Sequence, residues 1–288
     1  VTILVRDAAT LHQVLQGPRA VVMTMGALHE GHAHLMEIAR ENIDGQVVAT
    51  IFVNPLQFGA NEDFAVYPRS LDADVELCAS RGVDVVFAPD LDQVYPTPQV
   101  VTVDPGPLGD ILEGAHRPGH FRGVLTVVAK LLNLTAADVA VFGEKDYQQL
   151  TLIRLMAADL RFGTSGGPLR IIGVPTVRES DGLAMSSRNR YLSAQERSVA
   201  AAIPRALGVG VAAALAGAGA EDVRAAVRSA LADLTIDYVA VTDPDLAEPA
   251  AAGPGRVLVA ARVGATRLID NVPVNLGGPQ ALPEQVDG

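Results

Sequence analysis

The sequence predicts an α/β chain: a doubly wound, Rossmann-like parallel sheet followed by a smaller C-terminal α+β domain. Three observations predict it. Short apolar runs at 20–23, 46–53, 83–87, 138–142 and 169–174 alternate with helical patterns, the order that builds a parallel sheet. Two of these runs pass through glycine-containing turns into helices, at 24–32 and 143–147, and ligands of such sheets bind beyond the carboxyl ends of strands. After Tyr191 the chain changes to Ala-rich helices followed by adjacent strand-like runs, which reads as a separate α+β domain. The expected domains are 1–176 and 177–288.

Each element has a local reason. Behind the first strand, Leu35, Met36, Ile38 and Ala39 have helical spacing, and Gly45 is a stop signal. The second strand ends in Asn54-Pro55-Leu56-Gln57-Phe58-Gly59, where Pro and Gly mark a loop. Ser70 stands where it can cap a helix through Arg81, which Gly82 ends. A short strand is expected at 100–103. The stretch 113–122 carries two His and two Arg and reads as a polar loop before an apolar helix at 123–132. The stretch 178–190 is rich in hydroxyls and arginines, a composition that suits a mobile lid over phosphates. Helices are expected at 193–218, weakened by Pro204, and at 221–234. Strands are expected at 237–241, 256–263 and 266–269, with a hairpin at Gly264-Ala265. The tail from Gly277 onward reads as poorly ordered.

Composition sets limits. The chain has 288 residues, 49% of them hydrophobic, which excludes disorder and allows two domains with a large core. With 4% aromatics and no Trp, the core must be Ala, Val, Leu and Ile. A net charge of −11 argues against general nucleic-acid binding but leaves room for a local basic pocket. Cys78 is alone, so no intrachain disulfide forms and a reducing, cytoplasmic setting is expected. Its thiol reads as helix packing. No apolar run reaches the length of a membrane span and no leader is visible. The chain opens on Val1, so an initiator Met is expected to have been removed or to lie outside it.

The run Thr24-Met25-Gly26-Ala27-Leu28-His29-Glu30-Gly31-His32 carries the chemistry. A helix N-terminus presents N–H groups and partial positive charge, which suits a phosphate. A P-loop is excluded, because His32 and Ala33 stand where Lys and Ser or Thr belong. A zincin is excluded by spacing, and a dinucleotide fingerprint lacks its first glycine pair. What remains is His-x-Gly-His, a spelling associated with nucleotidyl transfer. Paired imidazoles there can donate hydrogen bonds as charge builds on phosphate. Polar residues at a helix start and a nonenzymatic regulator built on the histidines stay open. From residues alone the reading ends at ATP-dependent nucleotidyl transfer to an unknown acceptor.

The motifs TMGALHEGH, IFVNPLQFG, YPRSLDAD, HFRGVLTVVAKL, VFGEKDYQQL, GVPTVRESDGLAMSSRNRYL and RLIDN together resemble the pantothenate synthetase (pantoate–β-alanine ligase) family. They run in the family order and cover most of the chain. HEGH alone would point only to the wider nucleotidyltransferase superfamily. The resemblance implies an amide made in two steps: ATP and pantoate give pantoyl adenylate and pyrophosphate, then β-alanine attacks and AMP leaves. It implies that Met25, Gly26, Ala27, Leu28, His29, Glu30, Gly31 and His32 form the nucleotide site, with His29 and His32 on phosphates and His32 as the usual proton donor. Gly143, Glu144, Lys145 and Asp146 would also contact the nucleotide, with Lys145 on phosphate. Val177 would touch the adenine end, and Met185, Ser186, Ser187 and Arg188 would form the lid. Gln57 and Gln149 would hold pantoate, and Gln57 also β-alanine. Mg2+ bound with ATP, a homodimer and a cytoplasmic location are further implications. Three positions depart from the family spelling: Met23 where Pro is frequent, Leu56 in place of Met, and Val141 where a bulkier residue is common.

Overall fold

The computed structural model describes residues 1–59 and 63–278. Most of the tail expected to be poorly ordered, 279–288, lies outside the described residues. The chain divides into two compact units, Val1–Val177 and Arg178–Gly288.

In chain order the first unit runs β1 (Ile3–Val5), α1 (Ala8–Val14), β2 (Arg19–Thr24), α2 (Glu30–Glu41), β3 (Gln46–Ile51), α3 (Leu71–Ser80), β4 (Val85–Phe87) and α4 (Leu91–Val94). It continues through α5 (Glu113–His116), α6 (His120–Thr135), β5 (Val139–Gly143), α7 (Tyr147–Asp159), a small β6–β7 hairpin (Gly163–Thr164 and Gly167–Pro168) and β8 (Arg170–Val174). Six strands form one sheet in the order β1-β4-β3-β2-β5-β8, and every pair in it is parallel. This is the Rossmann-like sheet the apolar runs predict. Its central strands are buried on both faces, as parallel strands under crossover helices must be. Val21, Val48, Val85, Phe87, Ala140 and Phe142 join one core with Leu11, Leu125, Ile153 and Met156. The alternate residues Ala20, Val22, Val47, Ala49, Val86, Val139 and Val141 face the other core, with Met36, Ala39 and Cys78. Burial raises the Cys78 thiol to about 12, with the Asp74 charge adding to it. A thiol held neutral in this way packs and does not attack.

Four parts of this unit differ from the expectation. The edge strand β1, three residues long, and the helix α1, seven residues long, are too short to stand out in sequence. The run 100–103 is not a strand: Val100 and Val101 are exposed, and the Val103 N–H donates to Thr126 Oγ1 at 3.0 Å instead of to a ladder. The polar stretch 113–122 is helical at both ends, as α5 and the first turn of α6. Gly119, with φ +81°, separates the two. Ser70 occupies the N-cap of α3 without capping it. Its hydroxyl donates to Asp74 Oδ1 at 3.1 Å.

The second unit holds α8 (Ala194–Ala200), α9 (Ala202–Leu215), α10 (Ala220–Ala230), β9 (Thr235–Thr242), β10 (Gly253–Val263) and β11 (Thr266–Leu276). The strands form an antiparallel sheet in the order β11-β10-β9, an α+β unit as predicted. The single helix expected at 193–218 is broken at Ala201, because Pro204 has no N–H for the carbonyl four residues back. The hairpin at Gly264-Ala265 is present, with Val263 opposite Thr266. Strand β11 runs past its expected end at 269 because Asp270 and Asn271, which break the apolar pattern, find buried partners in Arg178 and Arg256.

The segment Ala194–Leu215 corrects the membrane reading. By length and composition alone it could cross a bilayer, with 22 residues and mean hydropathy 1.6. Here it belongs to a core: Ala200, Ile203, Ala206, Leu207 and Ala214 pack with Val223, Val227, Val257 and Leu276, while Arg197 pairs with Glu179 and Asp181.

Candidate active site

The site follows from topology. The chain winds from β2 outward through β3 to β4, then returns to place β5 on the other side of β2. The gap between the carboxyl ends of β2 and β5 is therefore the switch point, where open α/β sheets bind ligands. Residues 24–32 leave β2 there, and Gly143, Glu144, Lys145 and Asp146 leave β5. Gln57 follows the adjacent strand β3, in a tight turn Pro55–Gln57. Gln149 lies in the first turn of α7.

The turn after β2 is held from within. Thr24 Oγ1 donates to the Thr50 carbonyl at 2.8 Å and accepts from the Gly26 N–H at 3.3 Å. Gly26 and Ala27 both have positive φ, +86° and +50°. The N–H groups of Ala27 and Leu28 then donate to the two oxygens of Asp74, at 3.0 and 2.9 Å. His29 is the N-cap of α2, and its Nδ1 accepts from the Gly31 N–H at 3.2 Å. His32 Nδ1 in turn accepts from the His29 N–H at 3.3 Å. This is a capping box made of two histidines.

That box fixes chemistry. An imidazole nitrogen that accepts from an amide carries no proton, so both rings are Nε2–H tautomers with a donor on the far nitrogen. The rings lie 4.1 Å apart. Burial pushes the His32 pKa down to about 3, and the neighbouring His29 ring disfavours a second proton there too; Asp146 opposes this and the Lys145 charge adds to it. His32 is thus neutral at physiological pH. The same coupling places Lys145 and Asp146, from the turn after β5, within electrostatic reach of His32. Lys145 Nζ lies 3.5 Å from Asp146 Oδ1.

The expectation of an amide cradle for phosphate changes accordingly. The amides of Gly26, Ala27, Leu28, His29 and Gly31 are engaged internally. Glu30 pairs with Arg81 at 2.9 Å. His34 approaches Glu37 at 3.3 Å, so the third histidine of the run does not join the pair. Among the described residues no group of three or more His, Cys, Asp or Glu is arranged to hold a metal ion.

Around Gln57 the sequence reading missed a set of supporting residues. Asn54 is buried, and its amide nitrogen donates to Gln57 Oε1 and to the Gly123 carbonyl, both at 3.1 Å. Its oxygen accepts from the Tyr95 hydroxyl at 2.8 Å. Gln57 Nε2 is turned toward Met25 Sδ, 3.1 Å away. His120 Nδ1 donates to the Gln57 carbonyl at 2.8 Å. Gly123 lets this happen: a Cβ there would stand 2.1 Å from the Leu56 carbonyl oxygen. Of the three departures, Val141 is a core residue opposite Val22, Met23 packs on the larger core, and Leu56 is exposed.

Met185, Ser186, Ser187 and Arg188 belong to the second unit. Ser186 Oγ accepts from the Arg188 N–H at 3.3 Å and caps a tight turn at Ser187–Tyr191. The loop they sit on is tied down. Arg178 grips the buried Asp270 with two nitrogens, at 2.7 and 2.9 Å, and donates to the Gly182 carbonyl at 3.0 Å. Asn189 Nδ2 donates to Glu179 at 2.7 Å and to the Ala184 carbonyl at 3.0 Å. Val177 closes the first unit.

Comparison with known proteins shows the family. Residues 4–273 match the family model for pantoate-beta-alanine ligase. The chain belongs to the pantoate–β-alanine ligase family. A pantothenate synthetase from a Nocardioides species is 58% identical over 271 residues, covering 89% of this chain and 79% of that protein. One from Salinispora arenicola is 55% identical, covering 94% of this chain and 95% of that one. The crystal structure of the Thermus thermophilus pantothenate synthetase matches with a TM-score of 0.88 at 44% identity, over 94% of this chain and 98% of that one. The Francisella tularensis ligase, solved with a βγ ATP compound and β-alanine, matches with a TM-score of 0.78 at 34% identity, over 94% and 97% of the two chains. The protein is a pantoate–β-alanine ligase, which condenses pantoate with β-alanine using ATP.

Proposed function

We propose that this ligase works through a pantoyl adenylate and that its residues divide into a phosphate group and a pantoate group. A carboxylate is a poor electrophile, so pantoate first attacks the α-phosphate of ATP and pyrophosphate leaves. β-Alanine then attacks the activated carbonyl and AMP leaves. The observation that carries this reading is the pair of Nε2–H imidazoles at the end of β2, electrostatically coupled to Lys145 at the end of β5. Donors held in advance toward growing phosphate charge supply the largest part of such catalysis.

In this reading His29, His32 and Lys145 meet the phosphates, with Met25–His32, Gly143–Asp146 and Val177 around the nucleotide. By the family resemblance, Met185, Ser186, Ser187 and Arg188 also meet the phosphates. His32 acts by donating a hydrogen bond. Without ATP beside it, its pKa lies near 3 and the ring carries a single proton at neutral pH. Gln57 and Gln149 take the pantoate hydroxyls and carboxylate, and Gln57 also meets β-alanine. Uncharged amides suit a carboxylate that must remain nucleophilic. Asn54 supports this by holding Gln57 with its NH2 group as the outward donor. Mg2+ arrives on ATP: it binds through phosphate oxygens, water and one or two carboxylates, and so needs no cage of protein ligands. A homodimer and a cytoplasmic location rest on the family resemblance.

The test is pyrophosphate exchange. Labelled pyrophosphate is expected to enter ATP when pantoate is present and β-alanine absent, because activation is reversible and needs no amine. Exchange that ignores pantoate, or that appears only with β-alanine, would overturn the adenylate route.

A further inference from the structure

The motif Tyr67-Pro68-Arg69-Ser70-Leu71-Asp72-Ala73-Asp74 has no part in the reading above, yet it reaches the centre of the site. Its two aspartates sit in the first turn of α3 with opposite fates. Asp72 is exposed. Asp74 is 3% exposed, with its carboxylate turned away from its own helix onto the turn after β2. Two successive residues with positive φ, Gly26 and Ala27, aim the next two amides the same way. This concavity of main-chain N–H groups is of the kind that binds anions. At a strand end read as a nucleotide site, phosphate would be its natural occupant. Asp74 fills it instead: Oδ2 accepts from Ala27 and Oδ1 from Leu28, and Ser70 Oγ donates to Oδ1 as a third partner. The fit is close, since a Cβ on Gly26 would stand 3.0 Å from Asp74 Oδ2.

We propose that Asp74 is a positioning residue for ATP: its carboxylate acts as a built-in anion that occupies the amide nest and holds Ala27 in its left-handed conformation. It thereby sets the entry to α2, so that the His29–His32 pair receives the phosphates. The proposal rests on the reading that residues 25–32 bind the nucleotide. Its physical content is twofold. Two charge-assisted hydrogen bonds oppose the strain of a positive φ at an alanine. A fixed negative charge behind the turn also turns phosphate away from the main-chain amides and toward the imidazoles and Lys145.

The experiment compares Asp74→Asn with the unaltered enzyme. A carboxamide can accept from one of the two amides but presents an N–H toward the other. The expected result is a rise of about tenfold in the KM for ATP and a fall of about tenfold in kcat, as for loss of one charged partner. Pantoate affinity by calorimetry should stay within about twofold, because Gln57 and Gln149 stand on other elements, the turn after β3 and the first turn of α7. The amide protons of Ala27 and Leu28 should move upfield and exchange faster in NMR spectra. Ser70→Ala removes the third donor only, and should show the same preference for ATP at about two- to threefold; it carries the test should Asp74→Asn not fold. An unchanged KM for ATP in both variants, or equal losses for ATP and pantoate, would make Asp74 an ordinary core residue and overturn the proposal. Failure of the underlying reading looks different. His29→Ala would then leave ATP binding intact, while the two amide signals would still respond to Asp74→Asn.

Discussion

The two strand–turn–helix junctions of the first unit have the same outline and opposite construction. The junction after β2 is closed on itself: a buried carboxylate holds two amides, two histidines cap each other's turn, and two successive residues have positive φ. In the junction after β5, neither Gly143 nor Asp146 caps its helix with a side chain. Gly143 has an ordinary φ of −76°, and a Cβ there would meet nothing within 4 Å. On the proposed reading, the difference teaches that a phosphate site need not be an amide cradle: the first junction spends its amides on rigidity and would leave recognition to imidazole side chains. The second offers a lysine on a turn that no side chain caps.

Removing one donor from each side should give the largest effect. His32→Ala and Lys145→Ala are each expected to lower kcat by about 10²–10³, the usual cost of a lost transition-state donor. Thermal stability should fall more in His32→Ala, because that ring also completes a cap. Near-normal kcat in either folded variant would remove that residue from the phosphate group. Equal stability losses would erase the contrast between the junctions.

The glycines offer the next test. Gly26→Ala places a side chain at φ +86° and against Asp74, so about 1–3 kcal/mol of stability should be lost. Gly143→Ala should stay within about 0.5 kcal/mol, as a substitution into open space does. Urea unfolding of the two variants measures the difference, and similar midpoints would contradict the close fit of the first turn.

The smallest effect is one of pH. His32 is held at about 3 when folded and takes its proton near 6.5 when unfolded. Below about pH 6.5 the unfolded chain therefore binds more protons, and stability falls as pH falls toward 3. The loss should be roughly 1–3 kcal/mol by pH 4.5, and His32→Phe should flatten that slope. In NMR spectra the His32 ring signals should stay fixed from pH 8 to pH 5. A midpoint near 6.5 would refute the neutral Nε2–H assignment.

The same contrast explains what could be read in sequence. Strands β2, β3 and β5 were legible because a parallel sheet covered on both faces needs unbroken β-branched runs. The histidine pair was legible because its spacing is local. Asp74 was not, since an aspartate in the first turn of a helix reads as a solvated helix start. Its partners lie 46 and 47 residues away. Asn54 was quoted only as a loop residue, because its burial depends on α6 reaching the turn at Gly123. The end of β11 was missed for a related reason: Asp270 and Asn271 look like solvent-facing residues until Arg178 and Arg256 arrive.

The edge strand β1 has a consequence for solubility. It pairs only with β4, through three residues, with Thr2 Oγ1 donating to the Val83 carbonyl at 2.7 Å. The strand it covers, Val85-Val86-Phe87, is wholly buried. A bare β4 would offer its row of main-chain groups to another chain as a template for pairing. The outward side chains Ile3 and Leu4 are themselves about half exposed, at 44% and 41%. Strand β1 is thus a guard on the sheet's rim, and its loss would change colloidal behaviour before it changed catalysis, since the proposed site stands on β2, β3 and β5.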